Sequence, residues 1–139
     1  MSPQVAPGPE VCVGAVTIAE GRLLLVQRGQ DPGRWAWSVP GGRVRIGETL
    51  AEAVIRELRE ETGVEGLCGR LLGWVERIDD DRHLVILDFI VDVLDLEEPV
   101  AGDDAIDAKW VPLHEVAELN LVEGLAEFLH EHGVLDVIA

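Results

Sequence analysis

Glu57 and Glu61 stand four residues apart in the segment LAEAVIRELREET, and Glu60 lies between them. If the segment is helical, each residue turns the chain by about 100°. Leu50, Ala53, Val54 and Leu58 then share one side, Glu57 and Glu61 fall in the middle of it, and Glu60 flanks them. A surface helix keeps charge off its apolar face, and a desolvated carboxylate needs a partner or a cation. Three acids converging on one spot repel one another unless something positive sits there. A donor set of carboxylate oxygens suits a hard divalent cation, Mg²⁺ or Mn²⁺. Such a cation can act as a Lewis acid and ease the loss of a proton from water.

The elements around these acids are built to hold them still. Thr49-x-x-Glu52 is a capping-box pattern in which hydroxyl and carboxylate satisfy orphan amides. Gly63 reads as a helix stop rather than a functional residue. The spacing therefore predicts a helix over about Leu50 to Thr62. Upstream, Pro40-Gly41-Gly42 ends a short strand predicted over Trp35 to Val39. Gly41 and Gly42 let backbone approach a cation and phosphates closely.

The rest of the chain alternates β-rich runs with turns. Val11 to Ile18 and Arg22 to Arg28 read as a hairpin through Ala19-Glu20-Gly21, and Gly29 to Arg34 as a loop. Arg43 to Ile46 is expected to add a brief strand. Leu67 to Ile78 is strand-like with bends at Gly69 and Gly73, followed by a turn over Asp79 to Arg82 and a long strand over His83 to Val93. An acidic loop covers Asp95 to Asp104, and Ala108 to Val111 is a last strand. Leu113 to Leu119 and Val122 to His132 read as helices, the second stopped by Gly133. The order β-β-β-α-β-β-loop-β-α-α gives an α/β (α+β) class, a mixed sheet covered by helices.

A chain of 139 residues, nearly half apolar, is one ordinary domain with a real core. We expect a loose arm over residues 1–9, rich in Pro3, Pro7, Gly8 and Pro9, and a single domain over 10–139. The net charge of −16 argues against a nucleic-acid polymer as partner. It leaves a nucleotide open, because bound cations invert the local charge. No apolar run reaches the roughly 18 residues of a membrane span, and MSPQVAPGPE lacks a signal pattern. The expectation is therefore a cytoplasmic protein with no membrane partner. Cys12 and Cys68 read as isolated buried thiols, without zinc spacing.

The run Gly42 to Val64, GRVRIGETLAEAVIRELREETGV, closely resembles the signature of the Nudix hydrolases. The family pattern is Gly, five residues, Glu, seven residues, then Arg-Glu-apolar-x-Glu-Glu-x-Gly-apolar. It is filled here by Gly42, Glu48, Arg56, Glu57, Leu58, Glu60, Glu61, Gly63 and Val64, and Trp37-Ser38-Val39-Pro40-Gly41 looks like the usual lead-in. The resemblance implies the Nudix α/β/α sandwich, a mixed sheet between helices. It also implies Mg²⁺-dependent hydrolysis of a nucleoside diphosphate linked to a moiety X, with a small-molecule nucleotide as partner.

Carried over residue by residue, the resemblance makes Glu57, Glu60 and Glu61 metal ligands, with the backbone carbonyl of Gly41 as a further one. Glu57 and Glu61 are expected closest, since they share a helix face. Arg56, otherwise a surface ion pair worth little, would orient the acids through Glu48. The general base is either Glu57 or an acid of the distant loop: Glu97, Glu98, Asp103 or, first among them, Asp104. The catalytic candidates are thus Glu57, Glu60, Arg56 and Asp104; the substrate-binding candidates are Arg28, Trp35 and Gly42. Trp37 and Phe89 read as core, and His83 as a structural hydrogen-bonding residue.

One departure is Arg45, where many relatives carry Glu; it is expected to face solvent or touch a phosphate. The stretch GDDAIDAKWVPLHEV looks like the branch labelled ADP-ribose pyrophosphatase or MutT-like. The alternative is a Nudix-like sensor or scaffold that binds a nucleotide without cleaving it. Family members are often dimers, so a homodimer is a further expectation, with the apolar VLDVIA tail packing on a partner or on its own core.

Overall fold

A computed structural model describes residues 8–102 and 104–135. Most of the expected arm, Asp103 and the last residues of the VLDVIA tail lie outside the described residues. The elements run β1 (Glu10–Ala19), β2 (Arg22–Arg28), β3 (Trp37–Ser38), β4 (Gly41–Arg43), α1 (Leu50–Thr62), β5 (Gly66–Ile78), β6 (His83–Val93), β7 (Ala105–Pro112), α2 (Leu113–Val116) and α3 (Leu125–Glu131).

The strands form a mixed seven-stranded sheet ordered β3-β2-β1-β6-β5, with β4 on β1 and β7 on β2. The expected β1–β2 hairpin forms only at its tip, through Ile18↔Leu23 and Ala19↔Arg22. Beyond it the two strands splay, because each has better partners. β1 runs parallel to β6 from Glu10↔Leu84 to Thr17↔Val91 and antiparallel to β4 from Cys12↔Arg43 to Gly14↔Gly41. β2 is paired along its length by β7 and near its end by β3. A parallel pair needs a long crossover, and the segment from β1 to β6 supplies one that carries α1.

The apolar strands are buried on both faces, which is why they read as continuous runs. Val13, Ala15 and Leu24 pack with Ala53, Val54 and Leu58 of α1. Val16, Leu23, Leu25 and Trp37 pack on the other side with Val116 of α2 and Leu125, Phe128 and Leu129 of α3. Strand period two thus splits neighbouring residues between two cores, and the sheet lies between α1 and the α2–α3 layer.

Several boundaries differ from expectation. β3 is confined to Trp37–Ser38, because Trp35 adopts a positive φ of 77° and turns the chain ahead of it. β4 spans the glycines instead of Arg43 to Ile46, since Gly41 and Gly42 pair with Gly14 and Val13. β7 is longer than expected because β2 offers it a partner from Arg22 to Arg28. α2 and α3 are shorter; a left-handed Gly124 (φ 84°) opens α3. Leu50, expected on the buried face of α1, is 38% exposed, because the buried stripe begins at Ala53. The register of β5 shifts between Cys68 and Leu71 and again before Gly73, where bends were expected. Cys12 and Cys68 are free; Cys12 is buried and Cys68 half-buried. No described helix is long and apolar enough to cross a membrane.

Candidate active site

α1 is fixed at both ends. The Thr49 hydroxyl accepts from Glu52 N–H at 3.1 Å, and the Glu52 carboxylate accepts from Thr49 N–H at 3.0 Å. At the other end Gly63 is left-handed (φ 74°) and donates to Arg59 O at 2.8 Å. The loop after β6 covers the same end: Val100 N–H donates to Thr62 O at 2.8 Å and Gly102 N–H to Glu61 O at 2.9 Å. Thus α1 enters and leaves at defined points, and its Glu57 and Glu61 face β4.

Contact with β4 is close enough to demand glycine. A Cβ on Gly42 would stand 2.7 Å from the Glu57 carboxylate, and one on Gly41 would overlap Val13 O. The bare strand lets Glu57 lie on the backbone of Gly42 while Gly41 N–H donates to the Glu61 carboxyl.

Arg56 is the hub of the acids. Its Nε donates to Glu48 Oε2 at 2.6 Å and its Nη2 to Glu48 Oε1 at 2.9 Å and to Arg43 O at 3.0 Å. Its Nη1 donates to Glu57 Oε1 at 2.6 Å and Glu60 Oε2 at 3.2 Å. The guanidinium has five N–H donors in a rigid fork, and all are engaged. Arg56 and Glu48 are only 11% and 14% exposed, so the surface ion pair weighed from the helical wheel is not what forms. The wheel could not show that the loop from Arg43 to Glu48 folds back over the helix. Arg56 holds the Glu48 carboxyl at about 2, helped by Arg45 N–H.

Glu61 is the opposite case. Burial, then the charge of Glu57 beside it, pushes its carboxyl up to about 8, against Gly41 N–H and the more distant Arg28. Glu57 and Glu61 touch, as their shared helix face predicts. Glu60 is drawn away. Its side chain is 47% exposed, with Oε2 on Arg56 and Oε1 on Arg45 Nη2 at 3.4 Å. The three acids therefore do not meet at one point, and among the described residues no three Asp, Glu, His or Cys side chains stand close enough to hold a cation together. The site nonetheless fits a hard divalent ion. Its central pair is all oxygen and desolvated, and Arg56 compensates only Glu57, so burial and the Glu57 charge still weigh against an ionised Glu61.

The other candidates lie around this centre. Arg28 Nε donates to Pro32 O at 2.8 Å, and Trp35 N–H donates to Arg28 O at 2.8 Å. The Trp35 carbonyl accepts from Gln27 Nε2 at 3.0 Å, so its indole is offered to solvent, 58% exposed, from a restrained backbone. Asp104 is exposed; its carbonyl accepts from Gly29 N–H at 3.2 Å, tying the acidic loop to the loop that carries Trp35. Glu97 is tied by its carbonyl to the Trp110 indole at 2.8 Å. His83 is paired with Glu76 at 2.7 Å on the neighbouring strand. Trp37 is buried in the core, with Lys109 Nζ 4.7 Å from its ring centroid, and Phe89 packs half-buried near α1.

Asp88 was not singled out by sequence. It is 5% exposed in the middle of β6. The signal was present, since one acid interrupts the apolar run HLVILDFIV, and buried acids are rare unless paired.

The NUDIX domain family model matches residues 8–132. An ADP-ribose pyrophosphatase of Methanocaldococcus jannaschii is 37% identical over 113 residues, 80% of this chain and 66% of that protein. A mouse diphosphoinositol polyphosphate phosphohydrolase 3-alpha is 40% identical over 102 residues, 72% of this chain and 60% of that protein. The chain thus spans less than two thirds of the length of these curated relatives. The crystal structure of a MutT NUDIX hydrolase from Burkholderia pseudomallei superposes with a TM-score of 0.79 at 28% identity, covering 88% of this chain and 97% of that one.

Proposed function

Because the chain belongs to the Nudix family, we propose that it hydrolyses a nucleoside diphosphate linked to a moiety X, using Mg²⁺ or, in its place, Mn²⁺. The observation that carries this is the touching Glu57–Glu61 pair beneath the bare backbone of Gly41 and Gly42. In this proposal Glu57, Glu61 and the carbonyl of Gly41 hold the cation, with Glu60 joining once it leaves its arginines. The cation supplies charge screening for the diphosphate and Lewis acidity at phosphorus.

The chain's own residues do the rest. Water oxygen bonds to phosphorus, the bridging P–O bond breaks, and the products are a nucleoside monophosphate and phosphorylated X. Glu57 is one candidate to take the proton of the water, but Arg56 already holds one of its oxygens. Asp104, first among the acids of its loop, is the other; that loop is stapled by backbone bonds to Glu61 and to Gly29. Arg56 acts as a positioning residue for Glu57 and Glu60. Arg28 meets a phosphate, Gly42 lets the diphosphate approach, and the exposed Trp35 ring stacks on the base. The substrate class is ADP-ribose-like or (d)NTP-like.

The test is a panel of ADP-ribose, NADH, dinucleoside polyphosphates and oxidised dNTPs, with and without Mg²⁺, scored by nucleoside monophosphate released. Turnover that depends on cation and is lost in Glu57→Gln supports the proposal. Tight binding with no turnover of any member would replace it with a nucleotide sensor.

A further inference from the structure

The sheet face turned away from α1 holds an acid, Asp88, to whose Oδ1 no described residue donates a hydrogen bond. Strand register sets Gly73, Asp88, Gly14 and Gly41 side by side on β5, β6, β1 and β4. Residues opposite one another across a sheet project to the same face. Here that face is the α3 side: a Cβ on Gly73 would meet the His132 imidazole, and one on Gly14 would meet the Asp88 carboxylate and Val39. Three glycines and one aspartate thus form a row whose own side chain is Asp88 alone, with His132 over its Gly73 end, in a surface otherwise filled by Val16, Leu72 and Ile90.

Asp88 has no partner along this row. It is 95% buried by its 5% exposure, and its Oδ1 accepts no hydrogen bond from any described residue. The basic groups whose charge would favour its ionised form are Arg77 and His132. Arg77 is committed elsewhere, its Nη2 donating to Glu123 O at 2.8 Å. Burial outweighs both cations and pushes the carboxyl up to about 6. A buried acceptor left unpaired is costly, and structures keep such a group where something pairs with it at work.

The row also has a direction. It runs into Gly41, whose N–H is bonded to Glu61. With strands about 4.8 Å apart, Asp88 lies two strands or about 10 Å from Gly41. That is about the span from the phosphate of a nucleotide to the hydrogen-bonding edge of its base. Val39, half-buried and two residues ahead of Gly41, has Cγ2 3.3 Å from the point where a Gly14 Cβ would stand.

We propose that Asp88 reads the substrate's base, accepting a hydrogen bond from a base N–H, and so sets which nucleoside the protein takes. This rests on the hydrolytic proposal for placing the phosphates at Gly41. A site built around such a bond rejects ligands that lack the donor far more strongly than an apolar pocket rejects a size difference.

The test measures binding of AMP, GMP, CMP, UMP and purine riboside 5′-monophosphate, whose base has no N–H, by calorimetry in Mg²⁺. Wild type should bind its best base at least ten-fold more tightly than purine riboside monophosphate. Asp88→Ala should shrink that gap to within two-fold while leaving the purine riboside Kd within three-fold. Asp88→Asn, of the same size, should shrink it at least three-fold and covers the case in which the alanine variant does not fold. No gap in wild type, no binding of any monophosphate, or an unchanged gap in the folded variants overturns the proposal. Turnover of the diphosphate panel is scored separately. A wild type that hydrolyses but keeps its gap in the variants sinks only the role of Asp88. One that hydrolyses nothing, yet loses its gap in the variants, sinks only the hydrolytic proposal.

Discussion

Glu61→Gln should make the cation-free protein more stable and deprive it of its response to Mg²⁺. The folded environment pushes the Glu61 carboxyl from 4.5 up to about 8, so the folded state binds a proton that the unfolded state has lost. Stability from this group therefore falls as pH rises from about 4.5 to about 8, the reverse of an ordinary ion-paired carboxylate. One pKa unit is about 1.4 kcal/mol, so the penalty at pH 7 is on the order of 3 kcal/mol. Screening and local relaxation around a partly solvated carboxyl discount that to about 2 kcal/mol for the single substitution. Gln keeps an oxygen for Gly41 N–H and removes the charge. At about 3–4 °C per kcal/mol for a domain of this size, Glu61→Gln should melt about 6–8 °C above wild type near pH 8 in chelator. The difference should shrink steadily as pH falls toward 5. Adding Mg²⁺ at a hundred times its Kd should raise wild type by about 2.7 kcal/mol and leave the variant nearly unmoved. Differential scanning fluorimetry from pH 5 to 8.5, in EDTA and in Mg²⁺ or Mn²⁺, reads both effects. A variant that melts at or below wild type at pH 8 in EDTA, or that keeps the full Mg²⁺ shift, would refute the reasoning.

Arg56→Lys removes the forked grip on Glu48 and cannot reach Glu57 and Glu60 as well; steady-state kinetics should show kcat reduced about 10–100-fold, the usual cost of losing a group that orients metal ligands. Gly42→Ala drives a Cβ to 2.7 Å from the Glu57 carboxylate, and an ångström of displacement at a reacting centre costs about 100-fold; the Mg²⁺ melting shift should shrink with activity. Thr49→Ala loses the bond from Glu52 N–H to the hydroxyl and keeps the backbone N–H that donates to Glu52; it should cost about 1 kcal/mol in chemical denaturation, with KM unchanged. Arg45→Ala removes a competitor for Glu60, and calorimetry should find Mg²⁺ bound a few-fold more tightly at low ionic strength, an effect that salt erases because the pair is exposed.

Local signals carried most of the fold. The Thr49–Glu52 box and Gly63 placed both ends of α1 at their observed residues, because caps are decided by a few neighbours. β5 and β6 were found nearly whole from their apolar runs. The failures were long-range. Nothing near Val11 says that β1 prefers the distant β6 to its own hairpin partner. Likewise Gly41 and Gly42 read as turn residues until β1 supplies their pairing. α2 and α3 lost their ends to packing against Trp37, whose backbone bonds to Asn120 and Val122.

The site divides along the same line. Spacing along one helix predicts that Glu57 and Glu61 meet, since both lie on a single rigid element. It fails for Glu60 because the answer lies on the loop from Arg43 to Glu48. Both Glu60 oxygens are held by arginines there and on α1. Arg45, standing where many relatives place an acid, is thus a counterion to the box as well as a missing carboxylate. The two grips are unequal. Arg45 is a 3.4 Å exposed contact that water can replace, whereas Arg56 keeps Glu48 at 2.6 and 2.9 Å whether or not it releases Glu60. Glu48 therefore lets Arg56 give up Glu60 without leaving a buried charge unpaired. The arginines hold the site together, and in the proposed cation-bound state the Glu48–Arg56 fork would keep α1 in register while Glu60 changed partner.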